Sequence, residues 1–253
     1  ATVEKELPSR FKQKPQSREY DNYSINVNFH DTRDILSLLK PGLYIADSTT
    51  VSLNMAQDGL VSGKVRSQRI ALGNKYLKDL NLSVDNKDGS INGTMRSSEL
   101  SLGPLSMKSN AFVLYADDNR LGVGYSYDNE TEKENKGEIF LTGILERDLR
   151  DSLSLGAQTL PSNIYYNGDA WAIKPATLKI KGSDISIENL VAECGEQFIS
   201  VTGGISSTRK DTLNLSMSKF DISLLNGILN TNYGIKGFAS GEAFVHSPMK
   251  NGP

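Results

Sequence analysis

The sequence predicts an all-β fold of many short strands, arranged as a sandwich, a barrel or an open solenoid, with short helices that each close one end of a β-structure. Three observations lead to this prediction. Apolar residues recur at every second position in many short segments, turns of small residues separate the segments, and one phrase occurs twice. Alternate side chains of a strand point to one face of a sheet, so each segment predicts a strand with one dry face.

The composition agrees with many half-buried strands and many turns. Of the 253 residues, 23% are charged, 38% are hydrophobic and 22 are glycine, and the mean hydropathy is −0.37. The net charge of −2 provides no basic field for a phosphate backbone, so we expect no nucleic-acid partner. No apolar stretch approaches the roughly 18 residues that a membrane-spanning helix needs.

The chain begins with a polar, charged segment, residues 1–20, which we expect to be an extended lead-in. Ile25, Val27 and Phe29 then alternate as in a strand. At residues 32–40 the period changes to that of a short helix, with a cap at Asp31 or Thr32 and a stop at Pro41-Gly42.

The apolar phrase of this helix recurs late in the chain. Ile35-Leu36-Ser37-Leu38-Leu39 is matched by Asp221-Ile222-Ser223-Leu224-Leu225, which predicts a second short helix at 221–229 with Asp221 as its cap. We interpret both helices as plugs that cover exposed sheet rather than as binding elements. The chain is then a lead-in at 1–20, a first repeat unit at 21–150 and a second at 151–253, truncated at its C-terminus. We expect it to be a piece of a longer protein.

The two-residue alternation predicts the other strands, with hairpin turns at Asn86 to Gly89 and at Gly103-Pro104. Residues 128–137 contain no apolar residue and predict a mobile loop, and residues 146–156 favour another short helix. The strands predicted in this way are short. Their apolar positions are Val51, Leu53, Met55, Leu80, Leu82, Val84, Ile91, Met95, Leu100, Leu102, Leu105, Met107, Leu121, Val123, Tyr125, Tyr127, Ile139, Leu141, Leu145, Leu178, Ile180, Ile185, Ile187, Ile199, Val201, Leu213, Leu215 and Met217.

No motif with specific chemistry occurs in the sequence. Cys194 is the only cysteine, so there is neither a disulfide framework nor a zinc-site spacing, and His30 and His246 lie far from it. The sequence contains no nucleophile elbow, phosphate loop or dinucleotide fingerprint. We therefore expect no enzyme activity, no catalytic residues, no metal site and no cofactor.

The apolar strand faces are the remaining candidates for function. In a closed sandwich these faces would pack on each other, whereas in an open, curved sheet they would line a groove suited to an acyl chain or an unfolded apolar strand. The residues predicted to line such a groove are Leu80, Leu82, Val84, Ile91, Met95, Leu100, Leu102, Ile185, Ile187, Ile199, Val201, Leu213, Leu215 and Met217.

The last third of the chain contains low-complexity segments that follow one another in a recognisable order: residues 184–190, 198–204, 213–225, 237–241 and 248–253. In this order the segments resemble the repeating unit of the TamB family, the translocation and assembly module B proteins of the AsmA-like group. The resemblance covers about 176–253, with a weaker echo at 25–103. Residues 117–167 depart from the plain repeat.

The resemblance implies an elongated, curved, antiparallel and solenoid-like sheet that forms a β-taco groove, with short helices at the ends of repeats. The protein would be periplasmic and anchored in the inner membrane through a segment outside this chain. The resemblance also implies transport of phospholipids, through contact with their acyl chains, toward the outer membrane. A rival hypothesis is a scaffold that assists assembly of an outer-membrane β-barrel protein by strand pairing. A third is a non-catalytic surface or carbohydrate-binding β-domain.

Overall fold

Strands make up nearly all of the regular structure. The structure is a computed structural model that describes residues 22–32, 36, 38, 40–103, 105–147, 152–207, 210–225 and 234–246. These residues contain seventeen strands, and every pairing described between them is antiparallel. The prediction of an all-β, antiparallel fold is confirmed. The lead-in predicted at 1–20 lies outside the described residues.

The chain divides into two compact units. Unit 1 comprises Ala1–Asp118 and Gly122–Glu130, and unit 2 comprises Asn119–Leu121 and Thr131–Pro253. The repeat units predicted at 21–150 and 151–253 stay predictions, because compactness does not test whether a sequence pattern repeats.

Unit 1 contains the first seven strands and most of the eighth. In chain order these are β1 (Tyr23–Phe29), β2 (Leu43–Ile45), β3 (Thr49–Met55), β4 (Val61–Leu72), β5 (Lys75–Asp85), β6 (Ile91–Leu102), β7 (Ser106–Asp117) and β8 (Arg120–Asp128). Strands β3 to β7 pair in sequence order, β1 pairs with β3, and β2 pairs with β4. β8 lies beside β7, where the Tyr125 hydroxyl donates a hydrogen bond to Asn110 Oδ1 at 2.7 Å.

Unit 2 contains the other nine of the described strands. They are β9 (Lys136–Arg147), β10 (Leu153–Thr159), β11 (Ser162–Tyr166), β12 (Asp169–Ile173), β13 (Thr177–Lys181), β14 (Asp184–Cys194), β15 (Gln197–Ile205), β16 (Thr212–Asp221) and β17 (Phe238–His246). β9 pairs with both β10 and β11, and β14 pairs with both β12 and β13. β14 to β17 pair in sequence order.

The strands are longer than the sequence suggests. β4, β6, β7 and β9 each have 12 residues. The apolar pairs Ile91/Met95 and Leu100/Leu102, which look like two strands in the sequence, belong to the single strand β6. The polar residues 96–99 interrupt the apolar alternation there without ending the strand. The hairpin turn predicted at Asn86 to Gly89 joins β5 to β6 and is confirmed, with Gly89 at φ 77°.

The predicted helices are the main corrections. Instead of an α-helix at 221–229, the described residues form a 3-10 helix at Ile222–Leu225, and 226–229 lie outside them. Asp221 acts as the expected cap, since its Oδ1 accepts the backbone N–H of Ser223 at 2.9 Å. The helix favoured at 146–156 is wrong: β9 extends to Arg147 and β10 begins at Leu153, because Leu155 pairs with leucine and isoleucine on its two flanking strands.

Residues 32–40 are described only in part. The Leu36 N–H donates to the Thr32 carbonyl at 2.9 Å and the Lys40 N–H donates to the Leu36 carbonyl at 2.8 Å. This four-residue spacing is that of an α-helix. Residues 33–35, 37 and 39 lie outside the described part, so the predicted helix is not described as an element.

A line of interrupted pairing crosses unit 1. The ladder pairs on either side of it are formed, but the residues at Gln68, Asp79, Ser98 and Ser109 are unpaired in four neighbouring strands, β4 to β7. Asp79 and Ser109 have φ of 49°. Pairing resumes beyond the line in the same register, as Ser67 with Leu80 and Arg69 with Lys78 show, and we call this aligned set the fold line of unit 1.

Short polar side chains bond backbone carbonyls at the fold line. The Ser67 hydroxyl lies 2.6 Å from Thr49 Oγ1 and donates to the Arg69 carbonyl beyond the line at 3.1 Å. Asn110 Nδ2 likewise donates to the Met107 carbonyl at 2.8 Å. The Arg69 carbonyl also accepts the Ala46 N–H at 2.8 Å, so the side-chain bond adds to its backbone pairing. Ser97 differs, because its hydroxyl is buried without a hydrogen-bond partner.

Prolines interrupt the strands of unit 2. Pro161 separates β10 from β11 and Pro175 separates β12 from β13, since proline has no N–H to donate to a ladder. The Thr159 hydroxyl bridges the gap: it accepts the Ala176 N–H at 2.8 Å and donates to the Lys174 carbonyl at 3.2 Å. β14 is bulged nearby, between Ile187 and Leu190.

The two buried serines of the fold line predict opposite stability effects. Ser67→Ala removes a hydroxyl with two partners and should lower the free energy of unfolding by about 1 kcal/mol. Ser97→Ala removes an unpartnered hydroxyl and should be neutral or stabilising. Urea unfolding of the two variants measures both values, and an equal loss in both would show that the hydroxyl bonds at the fold line do not contribute to stability.

Gly203 should be irreplaceable in β15. Its φ is +105°, and a Cβ built there would lie 2.1 Å from the backbone oxygen of Thr212. Gly203→Ala should therefore lower the free energy of unfolding by roughly 2 kcal/mol or more. Gly156→Ala in β10 is the matched control, because nothing lies within 4 Å of its added Cβ. Thermal unfolding followed by circular dichroism compares them, and a Gly203 variant as stable as the control would contradict the expectation.

Candidate functional site

Two apolar rows cross the sheet of unit 1 at right angles to its strands. Residues that pair across strands share a face, so each row is read from the pairing register. Row A consists of Ile25, Leu53, Gly63, Val84, Gly93 and Leu114. Row B consists of Val27, Val51, Val65, Leu82, Met95 and Phe112. The two rows are neighbours on one face, two residues apart along each strand.

A third apolar row lies beyond the fold line. It consists of Ile45, Ile70, Leu77, Leu100 and Met107. The spacing from Leu80 back to Leu77 is three residues rather than two, because the unpaired Asp79, at φ 49°, interrupts the alternation. Apolar residues therefore continue in register on both sides of the fold line.

Unit 2 repeats this arrangement. Row C consists of Leu145, Leu155, Ile180, Ile185 and Ile205, on β9, β10, β13, β14 and β15. Row D consists of Gly143, Ala157, Leu178, Ile187, Gly203, Leu213 and Val245. A cavity of about 390 Å³ is lined in part by three members of row C, Leu155, Ile180 and Ile185.

The side chains of these rows are only partly removed from water. Every residue of rows A to D other than the glycines is half-buried or exposed, with Ile25 53%, Leu53 42% and Ile185 39% exposed. Two packed sheets would bury such side chains almost completely. The rows therefore form accessible apolar surface rather than a closed core.

The structure places each residue predicted to line a groove. Leu82 and Met95 lie in row B, Val84 lies in row A, and Leu80 is buried beside the fold line. Four others lie in rows: Leu100 in the third row, Ile185 in row C, and Ile187 and Leu213 in row D. The rest lie outside these rows. Ile91 pairs with Ala116, Leu102 pairs with Lys75, Val201 pairs with Leu190 and Leu215, and Ile199 pairs with Met217.

Some row members were not among the predicted groove residues. Val65 is in a segment, 61–65, in which valines alternate around Gly63, and this pattern was a usable signal. Phe112 and Leu114 lie in the continuous apolar run 111–116, where alternation does not distinguish the two faces. Their assignment to rows needs the pairing with β6.

The face opposite the third row carries a charged cluster. The Lys78 ammonium and the Tyr76 hydroxyl both donate hydrogen bonds to the Glu99 carboxylate, and the Arg69 guanidinium lies 4.4 Å from the centroid of the Tyr76 ring. The bond from Lys78, followed by that from Tyr76, lowers the pKa of Glu99 from 4.5 to about 2. The same bond raises the pKa of Lys78.

Two other groups have shifted pKa values. Burial raises the pKa of the Tyr125 phenol, which lies over the third row and bonds Asn110. Burial, with a smaller contribution from Asp169, raises the pKa of the Cys194 thiol. A raised pKa leaves less thiolate at neutral pH, so Cys194 is a weak nucleophile.

The described residues include no group of three His, Cys, Asp or Glu side chains placed to share a metal ion. No helix within the described ranges is long and apolar enough to cross a membrane. Comparison with protein-family models, with curated proteins and with solved structures gave no match. The resemblance to the TamB family therefore stays a prediction from the sequence.

Glu99 should make the stability of the chain acid-sensitive. Because folding lowers its pKa, its charged form stabilises the fold above about pH 4.5, and this stability is lost as the pH falls toward about 2. Glu99→Gln should lower the urea midpoint at pH 7 and reduce its further decrease between pH 4.5 and 2. Asp88→Asn, which makes the same change from carboxylate to amide at an exposed turn position, is the control. Identical profiles for the wild type and Glu99→Gln would refute the assignment.

Proposed function

We propose that the apolar rows bind the acyl chains of lipids and that the chain is a segment of a lipid-conducting β-groove. The observation that carries the proposal is the half-burial of apolar rows in both units, of which rows B and C are not interrupted by glycine. Exposing an apolar surface of this kind makes folding less favourable, because each methylene left in water loses roughly 0.8 kcal/mol of transfer free energy. Contact with an acyl chain would recover part of that energy.

The mechanism proposed is solvation without chemistry. An acyl chain that lies across the strands meets aliphatic side chains from one strand to the next, at spacings of about 4.8 Å. Because rows B and C carry a large apolar side chain at every position, moving the acyl chain along them changes its contacts little. Row B would thus support movement of a lipid across unit 1, as row C would across unit 2.

The cellular setting is proposed from the sequence resemblance alone. It places the protein in the periplasm of a Gram-negative bacterium, anchored in the inner membrane outside this chain, with phospholipid moving toward the outer membrane. In this setting the chain would act in outer-membrane biogenesis. The residues involved would be the aliphatic rows, with no catalytic side chain.

A second candidate function rests on the edge strand β17. Within the described residues β17 pairs only with β16, and Phe244 and Val245 are 58% and 50% exposed. An exposed edge strand can accept another strand by β-augmentation. This observation favours a scaffold that assists assembly of an outer-membrane β-barrel protein. Photo-crosslinking from β17 and from row B in cells distinguishes protein capture from lipid capture.

A charge in row B should block lipid binding. Leu82→Arg should lower crosslinking of the purified chain to a photoactivatable phospholipid by at least about fivefold, since burying an unpaired charge against an acyl chain costs more than the contact gains. Thr94→Arg is the control, because it places the same charge on the opposite face of the neighbouring strand β6. Far-UV circular dichroism checks that both variants are folded. Unchanged crosslinking of the phospholipid to folded Leu82→Arg would contradict the proposal.

A further inference from the structure

A second cavity lies beside row A of unit 1, on the side away from row B. Its volume is about 350 Å³, and it is formed where the strands β1, β3 and β4 meet the turns at 56–60 and 86–89. Tyr23, Met55 and Val61, which lie one step along the strands from row A, contribute to its lining together with Leu60. The cavity is thus an extension of the apolar surface toward the strand ends.

One cation lies at this cavity. Of the described residues that line it, Lys87 alone carries a charge, and the other polar members are amides and hydroxyls. Within the described part of the chain no carboxylate forms an ion pair with Lys87. The nearby carboxylates bond backbone groups instead: Asp85 Oδ1 accepts the Lys87 N–H at 3.4 Å, and Asp58 Oδ1 accepts the Leu60 N–H at 3.1 Å.

We propose that this cavity binds one alkyl chain that ends in an anionic head group, with the chain against Tyr23, Met55 and Leu60 and the head group at Lys87. The cavity supplies apolar contact and Lys87 supplies the complementary charge, which together match an amphiphilic anion. The inference rests on the proposed function and adds to it a fixed polar anchor beside row A. A carboxylate of a fatty acid and a phosphate of a lipid share this chemistry.

Calorimetric titration of the purified chain with dodecanoate, dodecyl phosphate and dodecanol, below their aggregation concentrations, tests the proposal. The two anions should bind more tightly than the alcohol. Lys87→Gln should weaken binding of both anions by about twofold to fivefold, the range for an exposed charge contact, and leave dodecanol unchanged. Lys64→Gln is the matched control, because it removes an equally exposed lysine of unit 1 that does not line the cavity.

Each outcome of the titration supports or overturns the proposal. Stronger weakening for dodecyl phosphate identifies a phosphate head group, and stronger weakening for dodecanoate identifies a carboxylate. Equal effects of Lys87→Gln and Lys64→Gln, or binding of dodecanol as tight as that of the anions, overturn the anchor while leaving the apolar rows intact as a lipid surface. Absence of binding by all three probes overturns both the anchor and the proposed function.

Locating the bound chain provides an independent measurement. A photoactivatable dodecyl phosphate should modify Tyr23, Met55 or Leu60, as identified by peptide mapping, and Lys87→Gln should reduce this labelling. Leu60→Glu, at a position that is already 39% exposed, should repel the anionic probes with little effect on folding. Labelling confined to rows C and D would overturn the proposed location.

Discussion

Cross-strand contact between apolar residues is the interaction on which both units depend. The buried hydrophobic side chains are few and mostly small; among the described residues they are Ala46, Ala71, Leu80, Ala116, Trp171, Ala176 and Phe220. A conventional core is therefore not available to stabilise the sheet. Each row residue between the two ends of its row instead pairs with residues on both flanking strands, and an apolar side-chain pair contributes roughly 0.2 to 1 kcal/mol. The ladder and the rows support each other, since the rows exist only in the correct register.

The fold line shows how side chains bond the backbone where the ladder of a long sheet is interrupted. Four neighbouring strands skip a pair at the same level, and Ser67 and Asn110 supply hydrogen bonds to carbonyls on the far side. Unit 2 reaches the same result by a different route, with Pro161 and Pro175 breaking the strands and Thr159 bridging them. In both units a short polar side chain bonds the backbone where the pairing between strands is interrupted.

The sequence predicted the fold class and most apolar strand positions, because alternation such as Leu80, Leu82 and Val84 is a local signal. It did not predict row membership, since the pairing of Leu82 with Val65 and Met95 depends on register between distant segments. The polar residues 96–99 interrupt the apolar alternation, so the sequence suggested two strands where β6 is one. Sheet geometry, which periodicity does not reveal, buries Ser97 there. The sequence did not indicate that Lys87 lines a cavity, because the β1 residues of that cavity lie more than sixty positions earlier in the chain.

The half-burial of the rows has a thermodynamic consequence. Apolar surface that is already hydrated in the folded chain contributes nothing to the heat capacity change of unfolding, which in ordinary domains is about 12 to 15 cal/mol/K per residue. This chain should fall below that range, and its stability should vary less with temperature than that of a two-layer protein of equal length. Whatever covers the rows would raise the heat capacity change again, so calorimetry of the covered and uncovered states reports how much of each row is in contact.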